Sequence, residues 1–307
     1  MRGRAGPARP PPGWIRWYSD MINAHKIDLH IHSTVSDGTD EPQELLDRVR
    51  EAGIELFALT DHDAVKGCAL VHAARLDGDP HFLNGVEFSC RDEGGKYHIL
   101  GYGYDPDGPS IQRVVENGHS LRMRKVTARL DFIRTRFGFT FPEEEVKALL
   151  ALDNPGKPHI GNLMVKYGYA ESKEQAINDY LDQAQFPNEY VRPEEAIEGI
   201  LKAGGIPVLA HPLYGSGSEL ILGDAMDSRL RRLMDFGLQG LECFYSGFTP
   251  KLRAEALFLA EKYRLYVTAG SDYHGRNKLV VLGDTNMPLI HPVPIGMRRF
   301  LKDVSFL

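Results

Sequence analysis

Two histidines spaced two apart, His30 and His32, close the short apolar run Ile27-Asp28-Leu29-His30-Ile31-His32-Ser33. In an extended strand, residues i and i+2 point to the same face, so both imidazoles converge on one point. Neutral imidazole is the commonest protein ligand for metals, and a divalent ion needs several ligands from one side. The pair therefore asks for partners elsewhere, and the chain supplies them at intervals. Leu56-Phe57-Ala58-Leu59-Thr60 runs directly into Asp61-His62-Asp63, and Phe82 to Val86 leads to Glu87. Tyr97 to Tyr102 carries His98, Ile206 to Ala210 ends in His211, and Leu265 to Ala269 ends in Gly270-Ser271-Asp272-Tyr273-His274. Asp37, in the turn Ser36-Asp37-Gly38-Thr39-Asp40, completes nine candidate ligands: His30, His32, Asp37, His62, Glu87, His98, His211, Asp272 and His274.

Nine ligands are too many for one ion with four to six positions, and suit two or three ions sharing Glu87 as a bridge. Adjacent divalent ions lower the pKa of a shared water and stabilise the attacking and leaving oxygens of an in-line displacement, which fits hydrolytic phosphoryl chemistry. Mixed nitrogen and oxygen ligands without thiolate suit manganese, zinc or iron, and the sequence does not choose among them. Asp61, Asp63 and a metal-bound water are all candidates to protonate the leaving alkoxide.

These residues need a scaffold that gathers strand ends. Each apolar run is strand-like, and most of the candidates follow the last residue of an expected parallel strand. Helical spacing follows the first run, with Leu45, Leu46 and Val49 between Pro42 and Ala52 and Gly53 as the stop. Further helices are expected over about 66–76, from Pro193 to Gly204-Gly205, over 225–236, and from Thr249-Pro250 to about Tyr263. The alternation predicts an α/β barrel of seven strands, whose C-terminal rim is where such folds place their active sites. The rhythm breaks from residue 110 to 192, which reads as almost entirely helical. Helices are expected there over 111–137, 142–152, 159–167 and 173–184, the last with a Ser172/Gln175 capping box. The expected organisation is a barrel over 25–109 and 193–307 with an all-helical insertion over 110–192.

Composition limits the partners. A length of 307 residues, 42% hydrophobic and 25% charged, is ordinary for a globular protein. A net charge of −6 gives no global reason to expect a nucleic-acid or membrane binder, so an anionic substrate must be held locally. Cys68, Cys90 and Cys243 are scattered and odd in number, which points to a reducing, cytoplasmic setting. No run approaches the roughly 18 apolar residues of a membrane span, and nothing implies a protein partner. Residues 1–24 hold Arg2, Arg4, Arg9 and Arg16 among clustered prolines, and are expected to be a disordered extension, with Met21 as an alternative start.

His30-Ile31-His32, Thr60-Asp61-His62-Asp63, Glu87 within Gly-Val-Glu-Phe-Ser, His98, Ala210-His211-Pro212 and Gly270-Ser271-Asp272-Tyr273-His274 resemble, in order, the motifs of the PHP (polymerase and histidinol phosphatase) superfamily. The resemblance implies a distorted seven-stranded βα barrel with a trinuclear site. By motif position, His30, His32, Glu87 and Asp272 would hold one ion, Glu87, His98 and His211 a second, and Asp37, His62 and His274 a third. The size and place of the insertion resemble the branch that includes 3',5'-nucleoside bisphosphate phosphatases and 5'-to-3' exoribonucleases, which implies a nucleotide or short RNA as substrate.

On the 111–137 helix, Arg122, Lys125, Arg129 and Arg136 fall on one stripe beside the apolar Val126, Leu130, Ile133 and Phe137. The apolar stripe can dock while the basic edge faces a cleft. Lys157-Pro158-His159-Ile160-Gly161-Asn162 resembles an insertion motif of the same branch, and places His159 and Asn162 at a helix start, where backbone N–H groups favour phosphate. Arg122, Lys125, Arg129, His159 and Asn162 are therefore the candidates to grip a second, non-reacting phosphate. Amidohydrolases also open with His-x-His, but a lysine bridge is expected there where this chain offers Glu87. Histidinol-phosphate phosphatase, short-RNA exonuclease and a metal-binding module without turnover are the other readings.

Overall fold

The computed structural model describes residues 26–185, 189–215, 219–288 and 293–304. The expected extension over 1–24 and the alternative start at Met21 lie outside the described residues. Seven strands, β1 (Ile27–Ile31), β2 (Leu56–Leu59), β3 (His81–Asp92), β4 (Gly95–Tyr102), β5 (Ile206–Leu209), β6 (Gly240–Tyr245) and β7 (Tyr266–Gly270), form one sheet in sequence order. The sheet nearly closes on itself. Beyond the strand ends, His32 N–H donates to the Tyr273 carbonyl at 2.9 Å and Asp272 N–H donates to the His30 carbonyl at 2.8 Å. Strands β1, β2 and β5 are buried along their whole length, which is why β2 and β5 read as continuous apolar runs, while β1 alternates apolar residues with the buried Asp28 and His30.

Two expectations about the strands are corrected. β4 is antiparallel to both β3 and β5, so the barrel is not all-parallel. The reason is local: β3 and β4 are joined only by Glu93 and Gly94, with Gly95 at φ +119° opening β4, and so tight a link cannot make a parallel crossover. β3 also runs on to Asp92, so Glu87 sits in mid-strand and reaches the rim because β3 passes through it. His98 faces the same rim from a strand running the other way.

The helices α1 (Pro42–Glu51) and α2 (Lys66–Ala74) cover β1 and β2, and α1 buries Leu45, Leu46 and Val49 as their spacing predicts. After β4 comes α3 (Pro109–Phe137), 29 residues ended by Gly138 in the left-handed region at φ +74°, where the glycine N–H reaches the Arg134 carbonyl. Its first half, with Ile111, Val114 and Leu121, belongs to the barrel core. Its second half, with Val126 and Ile133, builds a separate core with Leu149 of α4 (Glu143–Leu150) and Ile160, Leu163 and Met164 of α5 (Lys157–Lys166).

The last insertion helix differs from expectation. α6 covers only Lys173–Gln175 before a π turn over Ala176–Tyr180 and a 3-10 turn over Leu181–Gln183. Ser172 caps it by accepting from Gln175 N–H at 3.1 Å, but the Gln175 side chain accepts from Glu171 N–H instead of completing the box. The helical reading also does not extend to residue 192: Val191 pairs with Cys90 of β3. Three further helices follow: α7 (Pro193–Lys202) packs on β3 to β5 and on α3, α8 (Gly223–Asp235) lies between β5 and β6 in sequence, and α9 (Pro250–Lys262) packs on β6 and β7. Thr249 caps α9 by accepting from Leu252 N–H. α10 (Ile295–Val304) closes the barrel base with Met297, Phe300, Leu301 and Val304.

Candidate metal centre

All nine candidate ligands meet at one rim, with Glu87 at their centre. Its Oε2 lies 3.2 Å from His30 Nε2, 3.1 Å from His32 Nε2 and 3.1 Å from His62 Nδ1. Its Oε1 lies 2.8 Å from His98 Nδ1 and 3.4 Å from His211 Nε2. Asp272 Oδ1 is 3.5 Å from both His30 Nε2 and His32 Nε2, and Asp37 Oδ1 is 3.2 Å from His274 Nε2. Three overlapping groups have ligand atoms close enough to share an ion: His32, Asp37, His62 and His274; His30, His32 and Asp272; and His62, Glu87 and His98.

The donor chemistry fits a cation. His30 Nε2, His32 Nε2, His62 Nδ1 and Asp37 Oδ1 are buried and, among the described residues, have no hydrogen-bond partner. Native proteins rarely leave such atoms unsatisfied, and here they face the same carboxylates. Without a cation the titrations conflict. Burial and then the neighbouring His274 push His32 well below the usual imidazole range. Burial also pulls on His30, yet the summed attraction of Glu242, Glu87 and Asp272 overcomes it and raises His30 well above that range. Burial works against the Glu87 charge too, but His30, His98 and His62 together hold its carboxyl well below the usual value.

The supports around the ligands are specific. Glu242, in β6, lies 2.8 Å from His30 Nδ1 and accepts from His211 N–H at 2.7 Å, so one buried carboxylate aims two ligands. Gly270 is required by a close approach: a Cβ there would collide with His30 and Glu242. Asp28 holds the β7 motif, accepting from Ser271 N–H at 2.9 Å and Ser271 O–H at 2.6 Å. Its complete burial raises its pKa to about 6. His211 at φ +29° and Asp272 at φ +61° both hold left-handed backbone despite carrying side chains, the kind of local strain that surrounding structure must impose.

Asp61 and Asp63 both lie beside the rim and are tied into hydrogen-bond networks. Asp61 accepts from Ser33 N–H at 2.8 Å, Ser33 O–H at 2.7 Å and Ser36 O–H at 2.6 Å, so it pins the loop that carries Asp37. Asp63 accepts from Ser89 N–H at 2.9 Å and forms an ion pair with Arg122. Both carboxylates thus hold neighbouring elements in place.

Beside the rim lies a cleft lined by Asp37, His98, Arg122, Lys125, Arg129 and His159, together with the Asn154–Pro158 loop and Tyr190. The basic stripe of α3 thus divides. Lys125 is buried with its Nζ 3.5 Å above the Tyr190 ring, and burial followed by the nearby Arg122 lowers its pKa to about 7. Arg136, about two turns beyond Arg129, is exposed beside Phe137. His159 lines the cleft and accepts through Nδ1 from Gly156 N–H at 3.1 Å, but Asn162 is exposed and outside the lining. Of α5, the first turn, Lys157 to His159, lines the cleft. Sequence reasoning missed Asn154, whose side-chain N–H donates to the His62 carbonyl, and Lys278, whose Nζ lies 2.7 Å from Asp272 Oδ2. An isolated loop asparagine and lysine carry no signal of their own. The Tyr245 O–H donates to Asp272 Oδ2 at 3.1 Å.

Comparison with known proteins gives a consistent result. The PHP domain model matches residues 28–185. A 5'-3' exoribonuclease of Haemophilus influenzae is 30% identical over 87% of this chain and 96% of its own. A 3',5'-nucleoside bisphosphate phosphatase of Chromobacterium violaceum is 31% identical over 81% and 87%. A phosphoribosyl 1,2-cyclic phosphate 1,2-diphosphodiesterase of Eggerthella lenta is 30% identical over 81% and 94%. The solved structure of a predicted metal-dependent phosphoesterase from Bifidobacterium adolescentis superposes with a TM-score of 0.74 at 29% identity, covering 84% of this chain and 91% of that one.

Proposed function

The chain belongs to the PHP domain family, and on that premise we propose that this metal-dependent phosphoesterase removes a phosphate monoester from a substrate that carries a second phosphate, such as a 3',5'-bisphosphate nucleotide. The observation that carries the reading is the juxtaposition of the Glu87 cluster with a cleft walled by Arg122, Lys125, Arg129 and His159. An acidic chain has placed one buried and two half-buried cations where an anion beside the metal ligands needs them.

His30, His32, Glu87 and Asp272 would hold one ion, Glu87 with His98 and His211 a second, and Asp37, His62 and His274 a third; manganese, zinc and iron all suit this donor set. Bound divalent ions supply a nucleophile at neutral pH and neutralise the charge on the phosphoryl oxygens. The chain's own residues do the rest. Glu242 orients His30 and His211, Asp61 fixes the loop before Asp37, and Asp63 holds Arg122 toward the cleft. Arg122, Lys125 and Arg129 bind the phosphate that does not react, while the Tyr190 ring supports the Lys125 ammonium. A short 5'-phosphorylated RNA is the second reading, supported by the likeness to the Haemophilus influenzae enzyme. Histidinol phosphate leaves the basic wall without a partner.

We place the enzyme in the cytoplasm. Cys68, Cys90 and Cys243 are free, buried thiols, as a reducing compartment favours. No helix among the described residues is long and apolar enough to cross a membrane.

The test is phosphate release from adenosine 3',5'-bisphosphate and from phenyl phosphate, with manganese and with EDTA. Arg122→Ala should raise KM for the bisphosphate about tenfold, the scale of one charge-assisted hydrogen bond, and leave phenyl phosphate nearly unchanged. Equal effects on both substrates would sink the reading.

A further inference from the structure

Across His98 from α3 lies a second cleft, lined by Lys96, His211, Tyr214, Arg229, Tyr245 and Lys278. Arg229, on α8, is only 7% exposed. Its guanidinium sits 4.2 Å over the Tyr97 ring and donates from Nη2 to the Lys96 carbonyl. Its Nε and Nη1 are buried and, among the described residues, have no hydrogen-bond partner. Two acids, Asp92 and Glu219, act on it electrostatically without pairing with it; Asp92 pairs with Arg232 at 2.8 Å, one helical turn further along α8, and accepts from the Tyr97 O–H at 3.0 Å. Among the described residues no carboxylate forms an ion pair with Arg229.

A buried guanidinium without an anion is an expensive arrangement for packing alone. Its planar fork matches a phosphate bidentately, and Tyr97 together with the Lys96 carbonyl holds that fork in one orientation. Lys96 lines this cleft and the α3 cleft alike, so the positive wall continues past the metal ligands on both sides. The rings of Tyr214 and Tyr245, 6.2 Å apart, offer an aromatic surface beside it.

We propose that this cleft is a second anion subsite, in which Arg229 grips a phosphate or phosphodiester group of the substrate that does not react. The inference rests on the phosphoesterase reading above and sharpens it. A substrate using both clefts carries charge on each side of the ester being hydrolysed, whereas a simple bisphosphate fills only one.

The test uses the manganese-loaded full chain with Arg229→Met, Arg229→Lys and three substrates: phenyl phosphate, adenosine 3',5'-bisphosphate and a 5'-phosphorylated trinucleotide. Arg229→Met should raise KM for the trinucleotide about tenfold, as expected for loss of one charge-assisted contact, and leave phenyl phosphate within about twofold. Arg229→Lys, which keeps the charge and loses the fork, should recover part of the loss. If Arg229→Met gives no cooperative melting transition, the Arg229→Lys comparison decides the question alone. Equal KM increases on all three esters assign Arg229 to packing and overturn the proposal, as does no change on any. A weakened inhibition by inorganic phosphate with an unchanged trinucleotide KM makes the ligand free phosphate, and also overturns it. Should no ester be hydrolysed, the phosphoesterase reading fails. The cleft is still decided by binding of a methylene-bridged trinucleotide analogue, whose affinity must fall about tenfold in Arg229→Met.

Discussion

The rim and the wall of the main cleft present their chemistry from different kinds of support. Glu87, His98 and the residues following β1, β2, β5 and β7 project from hydrogen-bonded strands, and Glu242 on β6 braces them from behind. Arg122, Lys125 and Arg129 project from a single helix, α3, which is anchored in two separate cores and is tied to the residue after His62 by the Asp63 to Arg122 pair. A strand register positions a side chain within the pleat and leaves it little freedom, whereas a docked helix can be re-aimed by small changes in packing. The rim therefore suits chemistry that needs fixed geometry, and the wall suits recognition that can vary between relatives acting on different phosphate esters.

This contrast predicts a graded response to substitution. The largest effect belongs to Glu87→Gln, which removes the charge that five imidazoles approach within 3.4 Å. Bound metal, measured by elemental analysis, should fall, and kcat should drop on the order of 10³-fold, the scale of several kcal/mol of charge stabilisation. Activity within tenfold of the parent would show that Glu87 is not the bridge. Next comes Glu242→Gln. It touches no candidate ion position but aims His30 and His211, so metal affinity should weaken by about 10- to 100-fold. Titration of the metal-free protein with manganese reads this directly. An affinity equal to the parent's would mean that the rim is rigid without its brace.

The wall should respond more gently and in a pH-dependent way. Lys125 is lowered to about 7, so it carries its charge below that pH and loses it above. An anion held by the charged form binds best on the acid side, and KM for a bisphosphate should climb as pH rises from 6 to 8, approaching about tenfold per unit beyond the pKa. Lys125→Met should flatten that climb while leaving the profile for phenyl phosphate in place. A Lys125→Met profile that keeps the parent's slope would remove Lys125 from substrate binding.

How much of this was legible in sequence follows the same division. His30-Ile31-His32 and Gly270-Ser271-Asp272-Tyr273-His274 announced a common rim because a strand end has only one place to put a side chain, and the apolar runs before them fixed that end. The direction of β4 was not legible from apolar content, although the tight Glu93-Gly94 link was the available clue. On the wall, helical spacing correctly grouped Arg122, Lys125 and Arg129, but spacing describes a stripe and not where along it the helix leaves the cleft. Arg136 lies on the stripe and beyond the site. Arg229 gave no signal at all, since its meaning comes from Tyr97 beneath it and from Arg232 taking the acid beside it.

Asn162 gives the smallest predicted effect and the finest test of the comparison. It stands one turn beyond His159 on α5, in a segment whose resemblance to an insertion motif marked both residues as phosphate ligands. His159 reaches the cleft and satisfies the Gly156 N–H, while Ile160, Leu163 and Met164 turn the helix body into the insertion core and leave Asn162 in solvent. Asn162→Ala should therefore change KM for the bisphosphate by less than about twofold, within the range of an exposed surface substitution. His159→Ala should raise it several-fold and also weaken the helix by about 1 kcal/mol through the lost cap. If Asn162→Ala matched His159→Ala in KM, α5 would have to roll by roughly 60° and slide along its axis to bring Asn162, one turn further on, to the substrate. The wall would then be a moving part, closing on its ligand over a rim that stays fixed.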